Sequence, residues 1–309
     1  MKKHRRKIFT QDNLDFTLLA LPTVLWYVAF SYLPMFGGII AFIDFKRNGG
    51  FIHSIFTSEW VGFKNFEFLF ASRDIWLIMR NTLAYNIVFI ILGIVLPVTA
   101  AIMLGQLYSQ RKAKVYQTAM FLPYFLSWVV VSALVWAFLS YEKGLLNDIM
   151  RALGAEPKQW YMEKDIWPGL LIFLHVWKSL GYGTVVYLAT ITGLDPTYYE
   201  AALIDGATKW QQATRITIPL MKPVIIIMFI LAVGGIFRSD FGMFYNVPRD
   251  SSSLHDVVYT IDVLVYKQLR TSTPGMASAA AMTQSVLGCI TILTANAIVR
   301  KLDRSSALI

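Results

Sequence analysis

The chain has 309 residues, of which 56% are hydrophobic and only 15% charged, against roughly a quarter charged in an ordinary soluble domain. The apolar residues fall in continuous blocks of about 20, the length a helix needs to cross roughly 30 Å of hydrocarbon. They do not form the ~10-residue alternating segments of a membrane barrel. The net charge of +9 carries no nucleic-acid signature, because the basic residues are dispersed among loops and a positive-inside bias accounts for the sign. Cys289 has no internal disulfide partner, and His4, His53, His175 and His255 lack metal-ligand spacing.

Six spans are expected in chain order, so the fold class is all-α, a polytopic membrane helix bundle with six transmembrane helices. Lys2, Lys3, Arg5, Arg6 and Lys7 precede an apolar stretch that is too long for a signal core and has no small-x-small cleavage site. It is read as an uncleaved first span over 17–41. The others are expected at 77–107, 117–139, 167–191, 219–238 and 275–299. With an even number of spans both termini share one side. The basic cluster before span one makes that side the cytoplasm of a bacterial cell, in its plasma (inner) membrane. The layout is then a cytoplasmic tail 1–16, a first span with its outer loop 17–76, a transmembrane core 77–300 and a tail 301–309. In the outer loop 44–76, Trp60-Val61-Gly62-Phe63-Lys64-Asn65-Phe66 has the aromatic content of a membrane interface. The loop 140–166 is expected to carry a short helix near Gly144–Leu153. The stretch 240–274 is the most polar outer segment.

The most informative stretch is the inner loop from Asp195 to Pro219. Asp195 suits a helix N-cap and Pro196 the first helical position, where its missing N–H costs nothing. The helix would continue through Glu200 to Asp205. Gly206 can take the left-handed conformation that ends a helix, and a second helix from about Thr208 to Thr217 would run to Pro219. Ala201, Ala202 and Ala207 leave a low-relief surface, and Trp210 follows. Such a helix-turn-helix at the inner membrane face reads as a docking element. The alternative is an ordinary capped helix pair without a partner.

Glu200-Ala201-Ala202, Asp205-Gly206-Ala207 and Ile216-Thr217-Ile218-Pro219 resemble the EAA loop of binding-protein-dependent ABC importer permeases. The resemblance covers about 77–300, with span one as an addition. It departs at Ala213, where the family commonly has a bulky apolar residue. It implies a type I importer permease fold and a transport subunit that is not itself an enzyme. The loop would be the coupling helix seated in an ATPase groove, through Glu200, Ala201, Ala202, Asp205, Gly206, Ala207 and Trp210. The implied partners are two ATPase subunits, which carry the ATP and Mg²⁺, a second homologous permease as a heterodimer, an extracytoplasmic sugar-binding protein and membrane lipid. No cofactor is implied on this chain. Trp60–Phe66, Asn81-Thr82 and Leu122-Pro123 resemble the sugar-importing branch, and within it the permeases for oligosaccharides or polysaccharide fragments.

On span four, His175, Lys178, Ser179 and Tyr182 recur at i, i+3, i+4 and i+7 and so share one helix face. Polar groups there are costly toward lipid and belong in the bundle interior or along a water-filled path. Sugars suit such a wall, with hydroxyls bonding the polar groups and ring faces stacking on aromatics. The competing readings are helix–helix hydrogen bonding, or Lys178 reaching an interface. Arg238 and Asp240, near the outer end of span five, stand either at the membrane surface or on the path. Gly181-Tyr182-Gly183 is similar to a potassium-filter triplet, but Ser179-Leu180 precedes it and it lies mid-helix.

No Gly-x-x-x-x-Gly-Lys-[Ser/Thr] occurs, so ATP binding through a P-loop falls to another chain. A membrane enzyme of lipid-linked glycan metabolism would need convergent carboxylates or a metal site. Asp195, Glu200 and Asp205 lie in the docking loop instead. A stand-alone secondary transporter would call for internal repeats and broken helices.

Overall fold

The computed structural model describes residues 11–46, 49–71, 74–271 and 274–302; the basic run from Lys2 to Lys7 and residues 303–309 lie outside them. The described residues are overwhelmingly helical, and contacts divide them into two units. One runs up to Phe70 and takes in 268–282; the other holds 71–267 and continues from Thr283.

In the first unit, α1 (Gln11–Tyr27) continues through a π turn, Val28–Tyr32, and a 3₁₀ stretch, Phe36–Phe42. Together they form an apolar run, Leu14–Phe42, long enough to span a membrane. Most of its large side chains, from Phe16 to Phe36, are exposed on this chain, as a lipid-facing helix requires. A two-residue ribbon follows: β1 (Ile43–Asp44) pairs antiparallel with β2 (Glu59–Trp60) across α2 (Phe51–Thr57). The aromatic segment expected at the interface closes this ribbon. Phe42 stacks on Trp60 at 5.7 Å and touches Phe63 and Phe66, while Asn65 Nδ2, from α3 (Lys64–Ala71), donates to the Ala41 and Ile43 carbonyls.

The second unit is built on α4 (Asp74–Gly105), 32 residues long and so about 48 Å at 1.5 Å per residue. That exceeds the hydrocarbon thickness, as the long second span anticipated. The third expected span, 117–139, is not one helix. It is α5 (Gln110–Phe121) and α6 (Trp128–Leu139), bent by 95°. Pro123 sits in a 3₁₀ turn, Leu122–Phe125, where it has no N–H to continue the ladder. Ser127 then starts the next helix by accepting the Val130 amide at 3.3 Å. Five described helices are therefore long and apolar enough to span, or six if the bent pair counts as one.

Helix α7 (Leu145–Ala152) lies where the outer-loop helix was expected, and α8 (Ile166–Thr192) matches span four. Small residues of α8 let both α5 and α4 approach it closely. A Cβ on Gly181 would lie 2.2 Å from the Met120 carbonyl oxygen, and one on Gly183 2.9 Å from Pro97. Close approach, not ion coordination, is the physical reason for the Gly-Tyr-Gly triplet. Next come α9 (Thr197–Ile204) and α10 (Lys209–Gln212). A π turn, Ala213–Thr217, joins α10 to α11 (Ile218–Gly234) as one unbroken helical run. Val98, Ala101, Tyr187 and Met221 form a buried core where α4, α8 and α11 meet.

Helix α11 stops at Gly234, short of the expected 238. The backbone beyond it is satisfied by side chains of α4, which non-helical chain near a membrane demands. Asn86 Nδ2 donates to the carbonyls of Ile236 (2.8 Å) and Arg238 (2.7 Å). Asn81 Nδ2 serves Asp256 and Tyr259, Tyr85 Oη serves Val257, and Thr82 Oγ1 accepts the Ile261 amide. The Asn81-Thr82 pair thus acts as a clip for the outer segment, which holds α12 (Phe241–Asn246) and α13 (Ile261–Arg270). The last helix, α14 (Pro274–Leu302), coincides with span six.

Candidate functional site

The inner helix pair is built by local hydrogen bonds in the order the sequence implies. Asp195 Oδ1 accepts the Thr197 amide at 3.0 Å, and that bond holds its carboxyl below the usual carboxylate range. Pro196 takes the cap position itself. At the other end Gly206 adopts φ +73°. The Ala207 amide reaches back to the Ala202 carbonyl at 2.8 Å and the Gly206 amide to Leu203 at 3.1 Å, which is a Schellman closure. Thr208 and Gln211 then form a reciprocal capping box for α10.

This pair is tied to the membrane helices at two points. The Gln106 side chain donates to the Lys209 carbonyl at 3.1 Å while Lys209 Nζ donates to the Gln106 carbonyl at 3.2 Å, clamping α10 to the inner end of α4. Tyr199 Oη bonds Thr217 Oγ1 at 2.9 Å, which links α9 to the π turn below α11. That π turn is where Pro219, lacking an N–H, would otherwise clash with the preceding turn. The expected break at Pro219 is therefore absorbed without a loop, and α10 and α11 move as one body. The opposite face is bare. No residue of α9 is buried, and Leu203 (64%), Ile204 (88%) and Trp210 (76%) are exposed. Glu200, Ala201 and Asp205 share that exposure, while Ala202 and Ala207 are half-buried. Contiguous exposed apolar surface of this kind is characteristic of interaction sites.

The outer face of α8 is assembled differently. Its four candidate residues do not converge as a set. His175 stacks face to face on Phe89 of α4 at 3.8 Å, and Ser179 Oγ turns back to the His175 carbonyl at 2.7 Å. Lys178 and Tyr182 instead meet the bend between α5 and α6. Lys178 Nζ donates to the Tyr124 carbonyl at 2.9 Å and lies 5.3 and 5.4 Å from the Tyr124 and Trp128 rings. Tyr182 stacks on Tyr124 at 5.0 Å and keeps about half its surface exposed. Asp240 joins from the segment after α11. Its Oδ2 accepts from Trp128 Nε1 at 2.5 Å and its Oδ1 caps α12 through the Met243 amide. Arg238 is exposed; its amide donates to the Gly235 carbonyl and its own carbonyl accepts from Asn86.

Tyr124 and Trp128 escape a reading of helix faces because they belong to no regular face. They flank a proline-induced bend, and Leu122-Pro123 followed by Ser127-Trp128 was the signal available for it. Together the residues make an aromatic wall with one ammonium and one carboxylate. Among the described residues no group of three His, Cys, Asp or Glu could hold a metal.

A family model described as the binding-protein-dependent transport system inner membrane component matches residues 93–239, which include α8, the inner helix pair and α11. Protein LplB of Bacillus subtilis is 30% identical over 289 residues, covering 93% of this chain and 89% of the relative. The chain belongs to the permeases of binding-protein-dependent ABC importers. The permease is also 31% identical to the polygalacturonan/rhamnogalacturonan transport system permease protein YteP of Bacillus subtilis, over 92% of this chain and 87% of that one. Its fold matches the crystal structure of a bacterial ABC transporter involved in the import of the acidic polysaccharide alginate. There the TM-score is 0.83 at 30% identity, over 95% of this chain and 97% of that one. A second alginate transporter structure, in complex with an alginate pentasaccharide-bound periplasmic protein, gives 0.83 at 28% identity, over 97% and 98%. The permease is thus a multi-pass inner-membrane transport subunit, and the expected six-span importer fold holds with span three bent.

Proposed function

We propose that this permease forms half of the translocation path of an ATP-driven sugar importer and takes an oligosaccharide from an extracytoplasmic binding protein. The observation that carries the reading is the exposed α9–α10 pair, rigidly continuous with α11 and clamped to α4. An ATPase subunit seated on Leu203, Ile204 and Trp210 would move α4 and α11 directly. Glu200, Ala201, Ala202, Asp205, Gly206 and Ala207 shape the same contact. Two ATPase subunits carry the ATP and Mg²⁺, a second homologous permease completes the path as a heterodimer, and both termini face the cytoplasm. The binding-protein complex of the alginate transporter supports the extracytoplasmic partner.

The mechanism is alternating access. An ATPase shifts the balance of inward- and outward-open states only if it contacts the two differently. Closure of the ATPase pair would do so by drawing the two permeases' docking helices together. The path runs along Lys178, Tyr182, Tyr124 and Trp128, with Asp240 and Arg238 toward its outer end. His175 and Ser179 support α8 from behind. Detergent extraction should recover this permease with an ATPase and a second permease. Glu200→Lys should leave that complex's basal ATP hydrolysis in place but separate it from uptake. Sugar transport by the purified chain alone, without ATP, would overturn the reading.

A further inference from the structure

The polar face on α8 contains a cation that forms no ion pair among the described residues. Among the described residues no carboxylate lies within 4.0 Å of Lys178, and its one hydrogen bond goes to a neutral carbonyl. That carbonyl, on Tyr124, is free to accept because the 3₁₀ turn ends the helical ladder there. The nearby carboxylate, Asp240, is engaged on both oxygens by the Trp128 indole and the Met243 amide. An ammonium donates three hydrogen bonds, so Lys178 has donors left beside two aromatic rings. A charge within a membrane span is costly unless paired or hydrated, and the Asp240 carboxylate, although it keeps its charge, is not within ion-pair distance of Lys178.

The arrangement recurs two turns along α6. The Arg249 guanidinium lies 4.2 Å above the Trp136 ring, and among the described residues it makes no ion pair, because Asp250 beside it pairs with Lys267 at 2.6 Å. Arg249 and Asp250 both hold positive φ, 56° and 51°, a strained conformation for non-glycine residues that clusters at functional sites. Beside the stretch of α6 between the two tryptophans, which are about 12 Å apart along the helix axis, opens a cavity of about 370 Å³ whose polar lining is Ser132, Tyr245, Asn246, Arg249 and the Lys267-paired Asp250.

We infer that the permease carries an acidic oligosaccharide, one with a carboxylate on successive sugar rings. Its ring faces lie against Trp136 and Trp128, and its carboxylates meet Arg249 first and Lys178 next. This rests on the proposed sugar path and deepens it. A neutral sugar would give neither cation an ion pair; a uronate chain offers a carboxylate at each platform.

The test uses the whole importer, permease pair, ATPase and binding protein, in proteoliposomes. Initial uptake of labelled oligogalacturonate is compared with that of a neutral malto-oligosaccharide of equal length. The intact complex should import the uronate chain. Lys178→Met should lower that rate tenfold or more, the loss expected of a hydrogen bond to a charged group. Lys178→Arg should stay within about threefold, and Arg249→Met should cost about threefold at its more exposed position. Uronate uptake by Lys178→Met at the wild-type rate would overturn the inference, as would import of the neutral chain alone by the intact complex. If neutral uptake then still depends on Tyr182, the sugar path stands and only the charge reading falls. Import of neither sugar would remove the sugar path as well.

Discussion

The inner helix pair and the aromatic wall on α8 differ in what holds them. The bonds that cap and close the α9–α10 pair join near neighbours: Asp195 with Thr197, Ala207 with Ala202, Thr208 with Gln211. The wall brings Tyr124 and Trp128 to Lys178, Tyr182 and Asp240, across separations of 54 residues for Lys178 and Tyr124 and 112 for Trp128 and Asp240. A local scaffold can project a surface to a partner and tolerate change on its exposed face. A wall made of distant pieces fails when any one of them moves.

The comparison predicts a graded series of effects. The largest belongs to Gly181→Leu, because its Cβ would meet a backbone carbonyl at 2.2 Å that no side-chain rotation can relieve. No folded permease should be recovered by size exclusion in detergent. Gly206→Pro should come next. A proline ring near φ −65° in place of +73° costs about 3 kcal/mol, so ATP-driven uptake should fall about 100-fold while the protein still extracts normally. Normal uptake by this variant would erase the distinction between the two regions. Trp128→Phe removes the donor to Asp240 and should cost about 1–3 kcal/mol. It should slow uptake about tenfold without loosening the ATPase, as measured by co-purification.

Thr208→Ala removes half of the capping box, worth about 1 kcal/mol, and should weaken ATPase binding several-fold in a titration. The smallest effect is Lys164→Met, on the outer surface. The Lys164 ammonium bonds the Asp256 carboxylate and holds its pKa below the usual carboxylate range. Stability from that pair is therefore present above the ordinary carboxylate pKa, near about 4, and is lost as pH falls through the lowered value. The variant should be slightly less stable at neutral pH and converge with the wild type in acid, which flattens the acid limb of a fluorescence stability curve. Toward alkali, burial pushes Tyr161 and Tyr259 up to about 12. The outer segment should accordingly loosen as pH rises from about 10 through that value.

Much of this molecule is legible in its residues. Block length places five spans, and the caps at Asp195, Gly206 and Thr208 define the docking pair. Two boundaries are not legible in the same way. Span three looks continuous because hydropathy does not register that Pro123 and Ser127 together stop and restart a helix. Span five looks longer because Ile236 and Phe237 are apolar, although the carbonyls of Ile236 and Arg238 are held by Asn86 and that of Phe237 by Gln284.

The candidate face shows the same limit. Periodicity places His175, Lys178, Ser179 and Tyr182 on one side of α8, and they are there. It does not say which of them is consumed by a neighbour, as His175 is by Phe89 and Ser179 by its own helix. The sequence alone settles membrane residence and the capped inner helix pair, because hydrophobic length, capping and left-handed glycine act between near neighbours. Only tertiary packing decides which side chains face the path. A cation's availability depends on carboxylates and rings brought in from other helices, and no local pattern records their arrival.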